Sequence, residues 1–493
     1  MTPSDPRESP RAHAARADVP DVAALARWLR SWVTERGAIN GFHNHSVWGT
    51  NPFTFLDFTS GHAAFSAPAL GGLAQALAAR EDERGLALWR SMMHYQSHAL
   101  QPDGQYRHVG FQVGESATSG LIHNAVGSLG LLLGLTHARH LLPADEVAHI
   151  LATVRRNLAA CEVYGGGRPD ESGTCNQDYA RVWVKLLYTQ LSGEDHFAAQ
   201  IPEDLDALIA LYHHRGVPDE DSAGAFRTVQ DRERGGILEP AEYYGLMTAP
   251  LVLASRVLGE PRYLAEARRL CRHVARSAWT DEDGLTRFHR YWYVKNRRAH
   301  RTDTPMLIAG MGLTLYGVGQ VLAEGEDPEL ADFLARCLRT YATHQTPAGY
   351  FTSATGWHNE ADVAPSTAWH AHDLMFLVDA LGCGESFWDE VFAVHDRQSV
   401  LLSDRAFWAE DGPHWCILSP LTAGDLHIYG RKDRDTFTRE FFAWTDREPL
   451  PEELRYPSAP MFFVANDGIH RVDESDRPTD VSVIGPLPYK GPF

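Results

Sequence analysis

The stretch Asp103-Gly104-Gln105-Tyr106-Arg107 is one copy of a Gly-aromatic-polar element that occurs six times along the chain. The other copies, one of them degenerate, are Gly41-Phe42-His43, Gly165-Gly166-Gly167-Arg168, Ala223-Gly224-Ala225-Phe226-Arg227, Asp283-Gly284-Leu285-Thr286-Arg287 and Ala348-Gly349-Tyr350-Phe351. One glycine from each copy, at positions 41, 104, 165, 224, 284 and 349, gives steps of 63, 61, 59, 60 and 65 residues. Such regular spacing predicts one supersecondary unit that is used six times.

Between these elements the sequence has helical periodicity, and two helices fit in each interval. In residues 20–36, Val22, Leu25, Leu29 and Trp32 recur at three- and four-residue steps, which places them on one helix face. The predicted helices cover residues 20–36, 61–81, 83–99, 118–141, 143–163, 174–191, 203–214, 238–258, 260–278, 304–323, 327–345 and 366–381.

The even-numbered predicted helices differ in composition from the odd-numbered ones. The even ones are rich in Gly, Ala and Ser, as in residues 61–77, 120–134 and 310–319, and small residues let helices approach closely. The odd ones carry Arg and Glu on a solvated face, for example Glu266 and Arg269. This difference predicts an inner ring and an outer ring of helices.

Twelve alternating helices, with six long loops before the inner ones, resemble the (α/α)6 toroid of six helical hairpins. This architecture is shared by many glycoside hydrolases, unsaturated glucuronyl hydrolases, some polysaccharide lyases and the N-acylglucosamine 2-epimerases. The resemblance covers residues 20–395 and rests on helix count and loop elements, without the motif of any single family. It implies a mainly α fold and a carbohydrate-active enzyme, and such a resemblance does not assign the reaction.

Outside the toroid, the sequence predicts a disordered tail at residues 1–19 and a small β-rich region at residues 396–493. The β prediction rests on short alternating runs separated by Gly, Pro and Asp, at residues 399–402, 414–418, 425–429 and 460–464.

The charge balance excludes some partners. The 493 residues include 45 Lys and Arg against 64 Asp and Glu, a formal charge of −19, so neither nucleic acid nor an anionic membrane is an expected partner. The N-terminal residues have no apolar core of a secretory signal, and the apolar stretch 129–135 is too short to span a bilayer. We therefore expect a soluble cytoplasmic protein, and the sequence leaves its oligomeric state open.

The long loops that enter the predicted inner helices are the expected place of function. They are residues 41–62, 103–120, 166–179, 223–244, 283–304 and 348–373. The connections at the opposite end, such as 259–261 and 325–328, are short. In a toroid the six long loops converge on one end of the ring, so their polar side chains can face one cavity.

Aromatic, arginine and histidine side chains in these loops suit a sugar. Flat rings stack on pyranose faces, and guanidinium groups bind the carboxylate of a uronic acid, although pairing with loop acids is an equal alternative for the arginines. The predicted substrate-binding residues are His43, Trp48, Arg107, Glu115, His123, Arg290, Trp292, Trp357, His358 and His372.

Carboxylates at the starts of inner helices are the candidate catalytic groups. Hydrolysis of a glycosidic bond needs a proton donor and a second carboxylate. The acids at these positions are Glu115, Asp178, Glu239, Glu242, Asp303, Glu360 and Asp362. Asp178 is favoured because it begins an otherwise apolar and aromatic helix, and Glu242 is next by the same argument. For each acid alone, stabilisation of the helix dipole is the more common role.

The predicted function is a glycoside hydrolase acting on an oligosaccharide, including a uronic-acid-containing one. Histidine or tyrosine could instead remove a proton next to a carbonyl or carboxyl group, giving a sugar 2-epimerase or isomerase, or a lyase. A sugar-binding toroid without catalysis is a further alternative. The predicted catalytic residues are Asp178, Glu242, Tyr243, His289 and Glu360.

No cofactor and no metal are predicted. The sequences His43-Asn44-His45 and His370-Ala371-His372-Asp373 have weak metal-ligand spacing, but residues two apart on a helix do not share a face. The sequence also contains no phosphate-binding loop and no Gly-x-Ser-x-Gly elbow.

Overall fold

The computed structural model of the chain describes most of the predicted toroid and five short C-terminal segments. The described residues are 18–30, 33, 37, 41–44, 54–57, 67–98, 100, 104–106, 121–164, 173–214, 224–234, 236–289, 292–295, 298–301, 305–306, 308–346, 349–351, 367–393, 416–418, 427–429, 461–465, 468–472 and 482–485.

Helices dominate the described residues. In chain order they are α1 (Val22–Arg30), α2 (Pro68–Ala79), α3 (Glu83–His98), α4 (Leu121–Ala138), α5 (Ala144–Tyr164), α6 (Cys175–Ser192), α7 (Gln200–Tyr212), α8 (Val229–Arg234), α9 (Tyr244–Leu258), α10 (Pro261–Ser277), α11 (Gly312–Ala323), α12 (Pro328–His344), α13 (Thr367–Leu381) and α14 (Phe387–Val391). Single 3-10 turns lie at Arg139–Leu141 and Ala241–Tyr243.

Six of the described helices form a closed inner ring. Helix α2 packs on α4, α4 on α6, α6 on α9, α9 on α11, α11 on α13, and α13 returns to pack on α2. Helices α1, α3, α5, α7, α10 and α12 alternate with them and lie outside the ring. The predicted mainly α toroid of six helical hairpins is therefore confirmed.

The inner helices approach each other closely at glycines, and these contacts show their direction. Gly245 of α9 lies against Leu313 of α11, and Gly317, further along α11, lies against Thr248, further along α9. Because both numbers increase together, the two helices run parallel. The same order holds between α11 and α13 and between α2 and α4.

The outer helices expose charged residues that pair along the surface. Arg276 on α10 donates to Glu329 on α12 over 2.8 Å, and Arg272 lies 2.9 Å from Asp327. Asp327 precedes α12 and also accepts the amide of Leu330, so it caps that helix. This face is the solvated one that the sequence predicted for the odd-numbered helices.

Two inner helices begin later than predicted. Helix α9 begins at Tyr244 rather than residue 238, because Pro240 is followed by the 3-10 turn. Helix α11 begins at Gly312 rather than residue 304, because Pro305–Met306 forms a strand and Gly310 has a φ of 100°. Helix α8 was not predicted.

Strands occur in the long loops and in the C-terminal region. They are β1 (Gly41–Asn44), β2 (Thr54–Asp57), β3 (Trp279–Thr280), β4 (Thr286–His289), β5 (Trp292–Lys295), β6 (Arg298–Arg301), β7 (Pro305–Met306), β8 (Cys416–Leu418), β9 (His427–Tyr429), β10 (Met461–Ala465), β11 (Gly468–Val472) and β12 (Ser482–Gly485). One antiparallel sheet has the order β1-β2-β10-β11-β12, so the C-terminal strands extend a hairpin of the first long loop.

The C-terminal β appendage therefore has described strands at three of its four predicted runs, and the run at 399–402 lies outside the described residues. The domain boundaries at residues 19 and 395 stay predictions. None of the described helices combines the length and the apolarity needed to cross a membrane.

Gly245→Ala tests the close packing of the inner ring. A Cβ atom at Gly245 would overlap the carbonyl oxygen of Leu313, so we expect the free energy of unfolding to fall by about 2 kcal/mol. The matched control is Gly384→Ala, since a Cβ atom there meets nothing within 4 Å, and its effect should stay within about 0.5 kcal/mol. Urea denaturation measures both, and equal losses would contradict the close contact of α9 with α11.

Candidate functional site

The N-terminal ends of the inner helices form one rim of the toroid. The parallel contacts place the starts of neighbouring inner helices at the same end of the ring. These starts, which we call the rim, are at Pro68, Leu121, Cys175, Tyr244, Gly312 and Thr367. The long loops all lead into the rim, so it is where polar groups from distant parts of the sequence can meet.

Short backbone pairings order the fourth long loop on the rim. We call residues 212–214, 224–227, 237–239 and Trp292 the rim ladder. The amide of Phe226 donates to the carbonyl of Tyr212 over 2.8 Å, and the amide of Arg227 donates to the carbonyl of Ile237 over 2.9 Å. The amide of Glu239 donates to the carbonyl of Ala225 over 2.7 Å, and the amide of Leu238 donates to the carbonyl of Trp292 over 2.6 Å. The amide of Cys175 also donates to the carbonyl of Arg227 over 2.9 Å, which joins the ladder to the start of α6.

The rim ladder carries the carboxyl group of Glu239 to the first turn of α6. Glu239 is only 2% exposed, and Asn176 donates from Nδ2 to its Oε1 over 2.6 Å. Within the described part of the chain, Oε2 of Glu239 has no hydrogen-bond partner. One oxygen is thus held by Asn176, and the other is buried without a hydrogen-bond partner among the described residues.

Burial raises the pKa of Glu239 to about 8, because the charged form loses its hydration. The hydrogen bond from Asn176 and the charge of Arg227 oppose this rise, whereas the nearby Glu242 adds to it. Glu239 therefore keeps its proton near neutral pH, as a general acid must.

Glu242 follows Glu239 by three residues and lies in the 3-10 turn that precedes α9. It is 1% exposed, and Tyr243 beside it is 8% exposed. Of the predicted catalytic residues, Glu242 and Tyr243 are thus brought to the rim ladder beside Glu239.

Asp178 lies one turn into α6 and contacts the outer ring. It is fully buried, and the Tyr212 hydroxyl at the end of α7 donates to its Oδ2 over 2.7 Å. Arg181 Nη2 lies 3.8 Å from Oδ1. The sequence led us to expect this carboxylate to project toward the cavity. Its hydrogen bond points to the outer helix instead, and its catalytic role stays a prediction.

The opposite side of the rim contains His372 and Asp373 on α13. His372 is 2% exposed, and α13 is three places from α6 in the ring. Asp373 accepts the amides of Gly310 and Gly312 and the Tyr341 hydroxyl, the last over 2.6 Å. Burial raises the pKa of Asp373 to about 8. Through these hydrogen bonds, Asp373 holds the start of α11 in place.

Trp292 and the loop arginines have different surroundings. Trp292 is half-buried, accepts the amide of Leu238 and meets His273 edge to face at 6.3 Å. Arg227 is half-buried close to Glu239. Arg287 instead forms a salt bridge with Asp281, with Nε and Oδ2 2.7 Å apart. For this arginine, the structure shows pairing with an acid.

The other predicted site residues fall into two groups. His43, His123 and His289 lie on described backbone, in β1, α4 and β4. The residues outside the described part of the chain are Trp48, Arg107, Glu115, Arg290, Trp357, His358 and Glu360. Among the described residues, no group of three or more His, Cys, Asp or Glu is arranged to hold a metal ion.

Glu239 was one of the candidate acids in the sequence, and its buried position on the rim ladder makes it the one used in the proposal below. The available signal was Pro240, because the residue before a proline avoids the helical conformation. That preference keeps Glu239 extended in the rim ladder, outside the first turn of α9. A carboxylate in that position does not act as a helix cap.

Comparison with known proteins gives similarity in structure only. The sequence matches no protein-family model and no curated protein. A sugar epimerase from a ruminal bacterium is 12% identical, with 74% of this chain and 99% of that chain covered and a TM-score of 0.50. At this identity the similarity concerns the toroid fold.

Two further structures are reported as similar. A D-mannose isomerase is 12% identical, with 73% of this chain and 95% of that chain covered and a TM-score of 0.49. A family 76 glycoside hydrolase from a bovine Bacteroides thetaiotaomicron strain is 10% identical, with 73% and 76% covered and a TM-score of 0.49. The similarity to the epimerase structure shows the toroid fold predicted from the sequence, and no single family is identified.

The protonation of Glu239 can be measured directly. We expect a protonated carboxyl band in the infrared spectrum that titrates with a pKa of about 8 and disappears in Glu239→Gln. The difference from wild type is needed because Asp373 also has a raised pKa. Asn176→Ala should raise the pKa of Glu239 further, since the bond from Asn176 stabilises the charged form. A Glu239 band that titrates near pH 4 would contradict this description of the site.

Proposed function

We propose that this chain is a carbohydrate-active enzyme, a glycoside hydrolase that acts on an oligosaccharide by carboxyl acid/base catalysis at Glu239 and Glu242. The observation that carries the proposal is the burial of Glu239 on the rim, which raises its pKa to about 8, beside a second carboxyl group. Hydrolysis of a glycosidic bond requires this combination of a proton donor and a second carboxylate.

In the proposed reaction, Glu239 gives its proton to the bridging oxygen as the bond from that oxygen to the anomeric carbon breaks. Glu242 either removes a proton from water or attacks the anomeric carbon itself, and the water oxygen ends on that carbon in both cases. Asn176 holds Glu239 in place through its hydrogen bond. A sugar ring can stack on the half-buried indole ring of Trp292. Arg227 provides a positive charge for a uronic acid carboxylate.

A sugar 2-epimerase or isomerase is the second candidate. Glu239 and Glu242 are three residues apart, and two neighbouring acid/base groups can also remove and return a proton at a single carbon next to a carbonyl group. This pairing fits the second reaction, and the sugar epimerase fold is compatible with it.

A product assay on a panel of disaccharides, neutral and uronic-acid-containing, separates the reactions. Hydrolysis gives a new reducing end, epimerisation leaves the mass unchanged, and elimination gives an unsaturated product that absorbs in the near ultraviolet. We expect new reducing ends. Tight binding of a sugar without any turnover would contradict an enzymatic function and support a binding protein.

Glu239→Gln and Glu242→Gln should each lower kcat by about 10²- to 10⁴-fold, since each removes one acid/base group and keeps the side-chain shape. Asp178→Asn tests the earlier candidate, and Tyr212→Phe is its matched control because it removes the same hydrogen bond without touching the carboxyl group. We expect Asp178→Asn and Tyr212→Phe to lower kcat equally, and by less than either glutamine variant does. Full activity in both glutamine variants, or a loss confined to Asp178→Asn, would overturn the assignment.

A further inference from the structure

A buried chain of side chains links the inner ring to two outer helices beside the site. The Tyr179 hydroxyl lies 2.8 Å from Nε2 of His213, and Nδ1 of His213 lies 3.1 Å from Oε2 of Glu266. Tyr179 belongs to α6, His213 follows α7, and Glu266 belongs to α10. The proposed reaction uses none of these three residues.

The chemistry of this chain favours one arrangement of protons. Burial raises the pKa of Tyr179 well above its usual range, so its hydroxyl keeps its proton and can donate to Nε2. Burial alone would raise the pKa of Glu266, but His213 and Arg269 hold it well below its usual range. Glu266 is therefore charged; its Oε2 accepts from Nε of Arg269 over 2.9 Å and lies 3.1 Å from Nδ1 of His213.

The charged and titratable groups around His213 come from several elements. Helix α6 contributes Tyr179, and α10 contributes Glu266 and Arg269, whose Nη2 lies 3.1 Å from Nδ1 of His213. The neighbouring pair Asp178 and Tyr212 forms a parallel connection between α6 and the end of α7. Two adjacent residues of α6 thus bind two adjacent residues at the end of α7.

The segment held in this way is the edge of the rim ladder. The amide of His214 donates to the carbonyl of Gly224 over 2.8 Å, and Phe226 donates to Tyr212. On the other side of the 224–226 segment, the amide of Glu239 donates to Ala225. Helix α6 therefore reaches Glu239 by two routes, through the ladder and through the direct bond from Asn176.

We propose that His213 is a positioning residue for Glu239, and that the Tyr179–His213–Glu266 chain fixes the rim ladder to helices α6 and α10. The chain sets the register at which Glu239 meets Asn176 and excludes water from the carboxyl group. The inference rests on the proposed function only where it gives Glu239 a catalytic role. The connection between the side chains and the rim ladder can be tested without a substrate.

The test is hydrogen exchange of the ladder amides in the intact protein, followed by mass spectrometry of peptides that contain residues 224–239. Tyr179→Phe removes the donor at one end of the chain, and Glu266→Gln removes the charge at the other end, where the side chain is partly exposed and folding is less at risk. Both variants should speed exchange of the ladder by about tenfold or more, which corresponds to about 1.4 kcal/mol of lost local stability.

Tyr263→Phe is the matched control. Its hydroxyl also joins α10 to α7, at Asp206 and Pro202, but these contacts are away from the rim ladder. Ladder exchange in this variant should equal that of wild type. Unchanged exchange in both Tyr179→Phe and Glu266→Gln, or an equal increase in Tyr263→Phe, would overturn the inference.

A second measurement separates positioning from simple structural support. If the ladder positions Glu239, Tyr179→Phe should lower the pKa of Glu239 toward its usual value, because water reaches the carboxyl group. Faster exchange without this shift would also overturn the positioning role. If Glu239 of the unaltered protein titrates near its usual pKa, the proposed function fails, while the exchange results still decide whether the chain holds the ladder.

Discussion

The structure depends on the close approach of parallel inner helices, which closes the ring between α13 and α2. Gly72 of α2 packs against the backbone at Met375 of α13, so the seam between the first and the last hairpin has no room for a side chain. Closure brings six helix starts to one rim. Without it, the loops that carry the polar residues would have no common place to meet.

The buried acids of the rim differ in how their charge is accommodated. Asp373 is surrounded by two backbone amides and a tyrosine hydroxyl, and Asp178 is hydrogen-bonded to a tyrosine of the outer ring. Glu239 has the amide group of Asn176 at one oxygen and, among the described residues, no partner at the other. The first two acids therefore hold the scaffold together, while burial raises the pKa of the third to about 8, as the proposed role of proton donor requires.

Periodicity and composition were enough to predict most of the fold. The apolar stripes of the outer helices and the small residues of the inner ones predicted both rings, because each signal arises from the packing of a single helix. The late start of α11 was missed because it depends on the pairing of β7 with β4. The pairing of β2 with β10 joins residues some four hundred positions apart, which no local pattern reveals.

The candidate site was only partly predictable. Its location on the long-loop face stays a prediction from the asymmetry of loop lengths, and Glu242 was a candidate because it comes at the start of an inner helix. The hydrogen bond of Asp178 to the outer ring could not be predicted, because it depends on how α6 is rotated about its own axis. The contacts of α6 with Tyr212 and His213 set that rotation. Glu239 was underrated because its environment is made by a ladder of three segments that are separate in sequence.

The central claim is that sugars bind at the rim over the starts of α6 and α9, where Glu239 contacts them. A crystal soaked with a panel of mono- and disaccharides tests it most directly. The account predicts a sugar within hydrogen-bond distance of Oε2 of Glu239, with a ring face against Trp292. A sugar bound at the opposite end of the toroid, or at the rim without contact to Glu239 or Glu242, would contradict it.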